Sequence, residues 1–374
     1  MKIAIITSRY PKENQPYNHM FVHVRALYFK SQGVDVTILV PAKEKSIYNY
    51  QGIHVIEDVS SEIANVLGKY DLLYLHLLNQ YPLKNGGFSI YNAILKNKYP
   101  VAIYIHGTDV LKYPEYLYDF TWSIKGIVKY LYINTWNHFW MKRFLRQISL
   151  SNRYLIMTPS LWMKNHTEKI LAIKFEKFYA VPNGVDTELF DVPFNYQNRH
   201  KIITIRPLSD VKYGVDMSIE LMRFLPDIFT LDIYGKGFLK YKYEQLIKKY
   251  NLENRVRIID DFIERKDLPT LFSNYGIFSA FTLFDSQGVI MCEAMASRLL
   301  TISNNNSAIS EFIEDRIGGL IDDDLEKLAQ RIIEITNDSH VMENIVKEGR
   351  SGMTKINWRK QGEKELFLLK QIVT

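Results

Sequence analysis

The fold class follows from one stretch near the N-terminus, which reads Lys2-Ile3-Ala4-Ile5-Ile6-Thr7. Its residues are mostly apolar on both faces, as in a buried strand of a parallel sheet. A helical pattern follows over 18–32, and Gly33 suits the end of such a helix. The next apolar run is Asp35–Val40. Strand, helix and strand in this order predict a βαβ unit, the building block of α/β proteins.

The same alternation recurs along the chain with one interruption. The turn sequence Val181-Pro182-Asn183-Gly184-Val185-Asp186 breaks it, and the polar stretch 195–200 follows. We therefore predict a first domain over 1–186 and a second over 187–358, and we expect a C-terminal helix at about 359–374 to pack back on the first. The predicted fold class is α/β, with two doubly wound, Rossmann-like domains that face each other across a cleft.

Strands are predicted where short apolar runs recur, and helices where longer segments separate them. In the first domain the predicted strands are Lys2–Thr7, Asp35–Val40, His54–Ile56, Leu72–Leu77, Val101–His106, Tyr154–Thr158 and Phe178–Val181. In the second domain they are Lys201–Ile205, Phe229–Tyr234, Val256–Ile259, Ile277–Phe281, Leu299–Ser303 and Gly319–Ile321. The helices predicted from there to the C-terminus are Asp216–Leu225, Leu239–Tyr250, Lys266–Asn274, Gly288–Ser297, Leu325–Thr336 and Gln361–Val373.

Length and composition agree with this interpretation and exclude several classes of protein. The 374 residues suffice for two domains, and 47% hydrophobic with 24% charged residues is ordinary for a chain that buries a core. The single cysteine, Cys292, excludes a disulfide framework and a cysteine-based zinc site, and it is typical of a reducing compartment. The net charge of +6 is small and scattered, so nucleic acid is not expected as a partner.

Neither a targeting segment nor a membrane-spanning segment is evident in the sequence. The apolar run at the N-terminus is too short for a signal peptide, and no run approaches the roughly 18 apolar residues of a spanning helix. We therefore expect a cytoplasmic protein that is soluble or peripheral on the inner face of the membrane. The absence of G-x-G-x-x-G after the first strand, and of a Walker motif, excludes the usual dinucleotide-binding and P-loop proteins.

The densest chemical signal is the stretch Phe284-Asp285-Ser286-Gln287-Gly288-Val289-Ile290-Met291-Cys292-Glu293. It follows a predicted buried strand and opens a predicted helix, which places Asp285 at the carboxyl end of the strand. Gly288 permits close approach of the backbone, and the helix N-terminus offers N–H groups with partial positive charge. Glu293 lies further along this helix, where a carboxylate suits the paired hydroxyls of a ribose. The alternative is that Glu293 lies on a solvated helix face.

Two cations and one histidine complete the pattern. Arg206 and Lys212 frame the loop after the first strand of the second domain, and together they suit a diphosphate. In isolation they would be ordinary surface cations. His106 begins the stretch His106-Gly107-Thr108-Asp109 at the end of a predicted strand of the first domain, where it is expected to face the cleft. A lone histidine is more often structural, and position alone makes this one a candidate.

These motifs together resemble the retaining nucleotide-sugar glycosyltransferases of the GT-B fold, and most nearly family 4, the glycosyl transferases group 1. The resemblance covers nearly the whole chain and is strongest over about 179–323. It implies a metal-independent retaining hexosyltransferase without a cofactor, whose donor is a UDP-, GDP- or similar sugar. It also implies a saccharide or lipid-linked saccharide acceptor, in bacterial polysaccharide, lipopolysaccharide or glycolipid assembly.

The resemblance also implies a role for each candidate residue. Arg206 and Lys212 would bind the donor diphosphate and stabilise it as it leaves, and Glu293 would hold the ribose hydroxyls. Asp285 stands where the family normally has its first glutamate and would contact the transferred sugar. His106 would lie near the reactive face of the sugar. Main-chain N–H groups would complete the donor site, namely those of Gln287, Gly288 and Val289.

The sequence contains no obvious covalent nucleophile. We therefore expect the leaving group to depart, and the acceptor to attack, on the same face of the sugar, with catalysis by positioning and charge stabilisation. Three other functions stay open at this point. They are a glycoside hydrolase, a sugar-nucleotide epimerase, and a catalytically degenerate protein that only binds nucleotide sugars.

Aromatic and basic residues concentrate between Tyr113 and Ile148. Such a segment suits a helix that lies in a membrane interface near a lipid-linked acceptor. It suits equally well a helical pair that packs its aromatic side chains onto the first domain. The aromatic residues are Tyr116, Tyr118, Phe120, Trp122, Tyr130, Tyr132, Trp136, Phe139, Trp140 and Phe144, and the basic ones are Lys125, Lys129, Lys142, Arg143 and Arg146.

Overall fold

The computed structural model describes residues 1–13, 15, 18–110, 112, 120, 122–261 and 263–373. The chain divides into two compact units. Unit 1 comprises Met1–Pro182 and Arg359–Thr374, and unit 2 comprises Asn183–Trp358. The chain therefore changes unit inside the turn sequence at 181–186, slightly before the boundary placed after Asp186, and it returns to unit 1 for its C-terminal helix.

Unit 1 alternates strands and helices. Its strands are β1 (Lys2–Thr7), β2 (Asp35–Pro41), β3 (Ser46–Tyr50), β4 (Ile53–Asp58), β5 (Leu72–His76), β6 (Val101–Tyr104), β7 (Tyr154–Thr158) and β8 (Phe178–Ala180). Its helices up to β8 are α1 (Met20–Ser31), α2 (Ser60–Val66), α3 (Phe88–Asn97), α4 (Ile124–Leu131), α5 (His138–Ile148) and α6 (Leu161–Leu171). A wider π-helical turn, Tyr132–Asn137, joins α4 to α5.

The strands of unit 1 form one sheet in the order β3-β4-β2-β1-β5-β6-β7-β8. All neighbouring pairs are parallel except β3 with β4, which is antiparallel. Strands are added on opposite sides of β1, so β1 and β5 flank the switch point where such folds bind ligands. Strand β3 was not predicted, because apart from Ile47 its residues are polar or aromatic, and the strand is largely exposed at the sheet edge.

Unit 2 repeats the alternation. Its strands are β9 (Lys201–Ile205), β10 (Thr230–Tyr234), β11 (Val256–Ile259), β12 (Ile277–Ser279), β13 (Leu300–Ser303) and β14 (Leu320–Ile321). Its helices are α7 (Val215–Leu221), α8 (Lys240–Lys249), α9 (Leu268–Phe272), α10 (Val289–Ala296), α11 (Ile309–Phe312), α12 (Leu325–Thr336) and α13 (Ser339–Lys355). The parallel order β11-β10-β9-β12-β13-β14 is that of a Rossmann fold, with its switch point between β9 and β12.

Helix α13 was not predicted, and its glycines explain why. Gly349 sits in the middle of the helix, where glycine normally weakens helical structure. Here it allows close packing, because a Cβ on Gly349 would lie 2.8 Å from the carbonyl oxygen of Gly318. Asp338 begins the helix by accepting hydrogen bonds from the N–H groups of His340 and Val341. Tertiary packing therefore outweighs the weak local propensity.

The last helix, α14 (Trp358–Lys370), is held in unit 1 by a buried ion pair. Arg25 on α1 donates from Nε to both carboxylate oxygens of Glu365, at 3.1 and 3.0 Å. The Tyr74 hydroxyl donates to Glu365 Oε1 at 2.9 Å, and the Arg25 guanidinium lies over the Tyr104 ring at 4.4 Å. Burial alone would lower the pKa of Arg25, but Glu365 outweighs it, so the pKa lies above its ordinary value.

We predict that Glu365→Gln destabilises unit 1 by roughly 3–5 kcal/mol, because it leaves the Arg25 charge buried without a counter-charge. Urea unfolding followed by tryptophan fluorescence measures this, since Trp122, Trp136, Trp140 and Trp162 lie in unit 1. The control is Glu363→Gln on the exposed side of the same helix, which should change little. Equal unfolding midpoints for Glu365→Gln and the control would contradict the prediction.

Candidate functional site

Arg206 follows β9 at the switch point of unit 2 and is 4% exposed. Its Nη2 donates weakly to the carbonyl oxygen of Ala280 at 3.4 Å, and its guanidinium lies 5.5 Å from the centre of the Tyr213 ring. Among the described residues, its Nε has no hydrogen-bond partner. Burial lowers the pKa of Arg206, and Asp285 opposes that effect. A buried guanidinium with an unused N–H is well suited to bind an anion.

Lys212 lies on the same loop and is fixed from both sides. Its Nζ lies 3.6 Å from Asp210 Oδ2 and 4.9 Å from the centre of the Tyr213 ring. Burial acts to lower the pKa of Lys212, but Tyr213, Asp210 and Asp285 outweigh it and raise the pKa. The Lys212 carbonyl accepts from the N–H of Leu283 at 2.6 Å, which ties the loop to the segment after β12. Lys212 is therefore a fixed cation beside Arg206.

Two glycines after β10, Gly235 and Gly237, shape the loop that carries Arg206 and Lys212. They were not among the predicted site residues. The N–H of Leu208 donates to the carbonyl of Lys236 at 2.9 Å, so the two loops run against each other. A Cβ on Gly235 would overlap the carbonyl oxygen of Arg206, and one on Gly237 would overlap the backbone of Leu208. The stretch Tyr234-Gly235-Lys236-Gly237 was the available signal, because closely spaced glycines after a strand indicate close approach of another backbone.

Asp285 closes the turn that precedes α10. Its Oδ1 accepts hydrogen bonds from the N–H groups of Gln287 at 3.1 Å and Gly288 at 2.7 Å. The expectation that these two N–H groups cradle a ligand therefore needs correction, because the carboxylate of Asp285 already occupies them. Of the three N–H groups named, that of Val289 alone makes no hydrogen bond within the described part of the chain. The carboxylate also interacts electrostatically with Arg206 and Lys212, so the structure brings these three residues together.

The side chain of Gln287 is also committed within unit 2. Its Oε1 accepts from the main-chain N–H and from Nδ2 of Asn183, both at 2.7 Å, and its Nε2 donates to the Asn183 carbonyl at 2.8 Å. Gln287 is buried, with 1% exposure. The side chain therefore anchors the Asn183-Gly184 turn and does not present a free amide to a ligand.

Glu293 does not lie on a solvated helix face, because it is 4% exposed. Its Oε1 accepts from Nε of Arg265 at 2.8 Å. Burial raises the pKa of Glu293, Arg265 opposes this, and Asp186 adds to it. No other hydrogen bond to the carboxylate forms among the described residues, so Oε2 is open to a ligand. Arg265 was missed, because it stands alone in a loop without a motif around it.

In unit 1, His106 lies just past the end of β6. Its main-chain N–H donates to Asp109 Oδ2 at 2.8 Å, and its Nε2 lies 3.0 Å from Nδ1 of His76. The Phe21 ring packs against it with centroids 4.6 Å apart. Burial, followed by Arg25 and His19, holds the pKa of His106 well below its usual range. His106 is therefore a neutral imidazole at neutral pH.

The comparisons with known proteins agree with this arrangement. Residues 185–352 match the family described as "Glycosyl transferases group 1". The match covers nearly all of unit 2. Over 99% of each chain, the structure is similar to that of Anabaena HepE in complex with UDP and glucose, with a TM-score of 0.72 and 15% identity. At that identity the likeness shows the fold alone, which is the GT-B fold of two Rossmann-like domains. The predicted fold class and family resemblance are thus confirmed.

Two curated relatives extend the comparison. The GtfA subunit of a UDP-N-acetylglucosamine–peptide N-acetylglucosaminyltransferase from Streptococcus agalactiae is 23% identical over 41% of this chain. The amylovoran biosynthesis glycosyltransferase AmsK from Erwinia amylovora is 24% identical over 52% of it. The matches span 31% and 50% of the lengths of those relatives. Both relatives are glycosyltransferases by name.

Asp109 gives unit 1 a pH-dependent stability. Burial raises its pKa from 3.8 to about 6, although the N–H groups of His106 and Gly107 oppose the shift. Because the folded pKa is the higher one, the protonated form stabilises the native state. That contribution, about 3 kcal/mol of unfolding free energy, is complete below about pH 4. It is lost as the pH rises through about 6.

We predict that Asp109→Asn, which stays neutral and keeps an acceptor oxygen, removes most of this loss of unfolding free energy between pH 4 and pH 6. Unfolding midpoints in urea across that range measure it. The matched control is Asp35→Asn on the exposed start of β2, which should follow the wild-type profile. A pH profile of Asp109→Asn parallel to wild type would refute the prediction.

Proposed function

We propose that the chain is a retaining glycosyltransferase that moves a hexose from a nucleoside diphosphate sugar to an acceptor hydroxyl. The observation that carries the proposal is the buried Arg206 with an unused Nε, set beside Lys212 at the switch point of unit 2. A buried cation without its full set of partners is costly unless a ligand completes it. A diphosphate supplies the matching charge and the matching acceptor oxygens.

The remaining groups of the site fit the other parts of such a donor. The open Oε2 of Glu293 accepts from ribose hydroxyls, while Arg265 fixes the other oxygen. The free N–H of Val289 lies at the start of α10, where the helix dipole favours a negative group. HepE was crystallised with UDP and glucose, and the GtfA relative is named for UDP-N-acetylglucosamine. UDP-sugars are therefore the first donors to test.

The proposed reaction relies on charge stabilisation by protein side chains. As the bond between the anomeric carbon and the diphosphate oxygen breaks, Arg206 and Lys212 neutralise the charge that develops on the leaving group. The free oxygen of Asp285 contacts a hydroxyl of the transferred sugar, since Oδ1 is occupied by the N–H groups of Gln287 and Gly288. The acceptor oxygen attacks on the face from which the diphosphate leaves, which retains the configuration, and the leaving oxygen takes the acceptor proton.

Metal independence and the absence of a cofactor are part of the proposal. Among the residues the structure describes, no group of three or more His, Cys, Asp and Glu side chains is placed to hold a metal ion. Turnover should therefore persist in excess EDTA, and a requirement for added Mg²⁺ or Mn²⁺ would overturn this part.

Product analysis separates the other functions, because an epimerase converts the donor without an acceptor and a degenerate homologue binds it without turnover.

We predict that Lys212→Ala lowers kcat/KM with the preferred nucleotide sugar about 10²–10³-fold, the loss typical of a preorganised group that stabilises charge in the transition state. Release of the nucleoside diphosphate in the presence of acceptor measures it, after a panel of UDP-, GDP- and ADP-sugars has identified the donor. The control is Lys248→Ala on the exposed face of α8. Unchanged turnover in Lys212→Ala would rule out this site assignment.

We also propose that the enzyme is cytoplasmic and docks on an anionic membrane surface, where a lipid-linked saccharide serves as acceptor. No described helix is both long and apolar enough to span a membrane. Tyr116 and Tyr118 lie outside the described residues, and the other aromatic side chains of this segment divide between two faces. Trp136 donates to the carbonyl of Gln80 at 2.8 Å, and Phe144 packs on Tyr91.

Helix α4, at the start of this segment, has an exposed apolar face. Ile124, Val128 and Leu131 are 85%, 60% and 53% exposed, and their spacing puts them on one side of α4. Trp122 precedes them with 90% exposure. Exposed basic side chains accompany the apolar stripe, including Lys125 and Arg146. An apolar stripe flanked by cations is the pattern of a helix that lies in a membrane interface.

We predict that the protein sediments with liposomes that contain anionic phospholipid at low salt, and that Ile124→Ser/Val128→Ser releases it. Removing exposed apolar side chains should not harm folding but should remove the area buried in lipid. Phe367→Ser, on the exposed face of α14, is the matched control. The docking proposal fails if wild type stays in the supernatant, or if the double variant sediments like the control.

A further inference from the structure

A buried histidine and a half-buried one meet at the carboxyl end of the unit 1 sheet. His76 ends β5 and His106 follows the neighbouring strand β6, and Nδ1 of His76 lies 3.0 Å from Nε2 of His106. Burial lowers the pKa of both rings well below the usual range, helped by the charge of Arg25. Both rings are therefore neutral, and a neutral imidazole has one N–H and one bare nitrogen. The contact is then one hydrogen bond, with either ring as the donor.

The environment of His76 distinguishes the two possibilities. Its second nitrogen, Nε2, is buried and has no hydrogen-bond partner within the described chain. The Tyr74 and Tyr104 rings flank it, with centroids 4.2 and 5.5 Å from the His76 ring. If His106 were the donor, the His76 proton would sit on Nε2 as a buried N–H without an acceptor. Orphaned buried N–H groups are rarer than orphaned acceptors, and each one is costly because the donor has lost its hydrogen bond to water.

We propose that His76 is a positioning residue that fixes the tautomer of His106. His76 donates from Nδ1–H to the bare Nε2 of His106, and the His106 proton therefore sits on Nδ1. This Nδ1 makes no hydrogen bond to the residues the structure describes, and the ring is half-buried. His106 thus offers a fixed N–H donor and no free basic nitrogen.

Other contacts keep the His106 ring in this orientation. Asp109 accepts from its main-chain N–H, and Phe21 packs on one side at 4.6 Å. Tyr104, two residues earlier, packs at 4.6 Å and is itself covered by the Arg25 guanidinium. The orientation of the N–H is therefore set by the fold of unit 1.

The use of this N–H rests on the proposed function. In a sugar transferase, a neutral N–H donor binds an oxygen of the sugar and stabilises it without removing a proton. His106 is then not the base that deprotonates the acceptor, and the proton passes to the leaving diphosphate oxygen as described above. The tautomer itself does not depend on the activity, so the two can be tested separately.

The first test is direct. The full chain is labelled with ¹⁵N-histidine, and the ring signals are assigned with His106→Asn and His76→Asn. We expect the His106 signal of a protonated Nδ1 and a bare Nε2 near neutral pH. A proton on Nε2 of His106, or a doubly protonated ring, overturns the proposal whatever the enzyme's activity. This measurement needs only the wild-type fold.

The second test compares two substitutions at His76. Asparagine places an N–H where Nδ1–H was, whereas leucine fills the space without a donor. We expect His76→Leu to lower kcat by tenfold or more and to shift the His106 proton toward Nε2, and His76→Asn to restore both. The control is His54→Asn on the exposed side of β4. Equal losses of kcat in both variants overturn the positioning role. A wild type that turns over no nucleotide sugar overturns the proposed function, and the ¹⁵N spectrum then decides the tautomer by itself.

Discussion

The buried ion pair between Arg25 and Glu365 is the interaction on which unit 1 depends. It joins the first helix after β1 to the last helix of the chain, and the Tyr74 hydroxyl on the neighbouring strand β5 donates a further hydrogen bond to the carboxylate. Burying both charges is costly, so the pair depends on the hydrogen bonds between them and on the further bonds to the Phe21 carbonyl and the Tyr74 hydroxyl. The same guanidinium covers Tyr104 and, after burial, helps to keep His76 and His106 uncharged. The pair thus joins the first and last helices of unit 1 and contributes to the charge state of these two histidines.

The contrast with Arg206 separates a structural charge from a functional one. Arg25 and Arg206 are both buried arginines, but Arg25 meets a carboxylate at two oxygens whereas Arg206 has one long bond to a carbonyl and an unused Nε. A ligand with acceptor oxygens would remove this deficit. The position of Arg206 at the switch point, beside Lys212 and the start of α10, indicates an anion. Burial alone would not have distinguished the two arginines.

The alternation of apolar strands and helices was sufficient to predict the fold, because parallel strands buried on both faces carry an unambiguous pattern. It failed for β3, whose edge position tolerates polar residues, and for α13, where packing of Gly349 against Gly318 outweighs local propensity. In the candidate site, the residues proposed from the sequence were those that stand in a motif. Arg265 and His76 were not, because each acts through a contact made across a long stretch of chain.

The shorter side chain of Asp285 is explained by the start of α10. Glutamate is usual at this position in the family that the sequence resembles, but Asp285 Oδ1 accepts from N–H groups two and three residues ahead, a geometry that suits the short aspartate. One oxygen therefore holds the turn before α10, and in the proposed reaction the other contacts the sugar. The carboxylate also interacts with Arg206 and Lys212 and partly offsets their charge. Three charged groups that would be unfavourable singly thus stabilise one another, and in the proposed reaction a diphosphate becomes the counter-ion of the two cations.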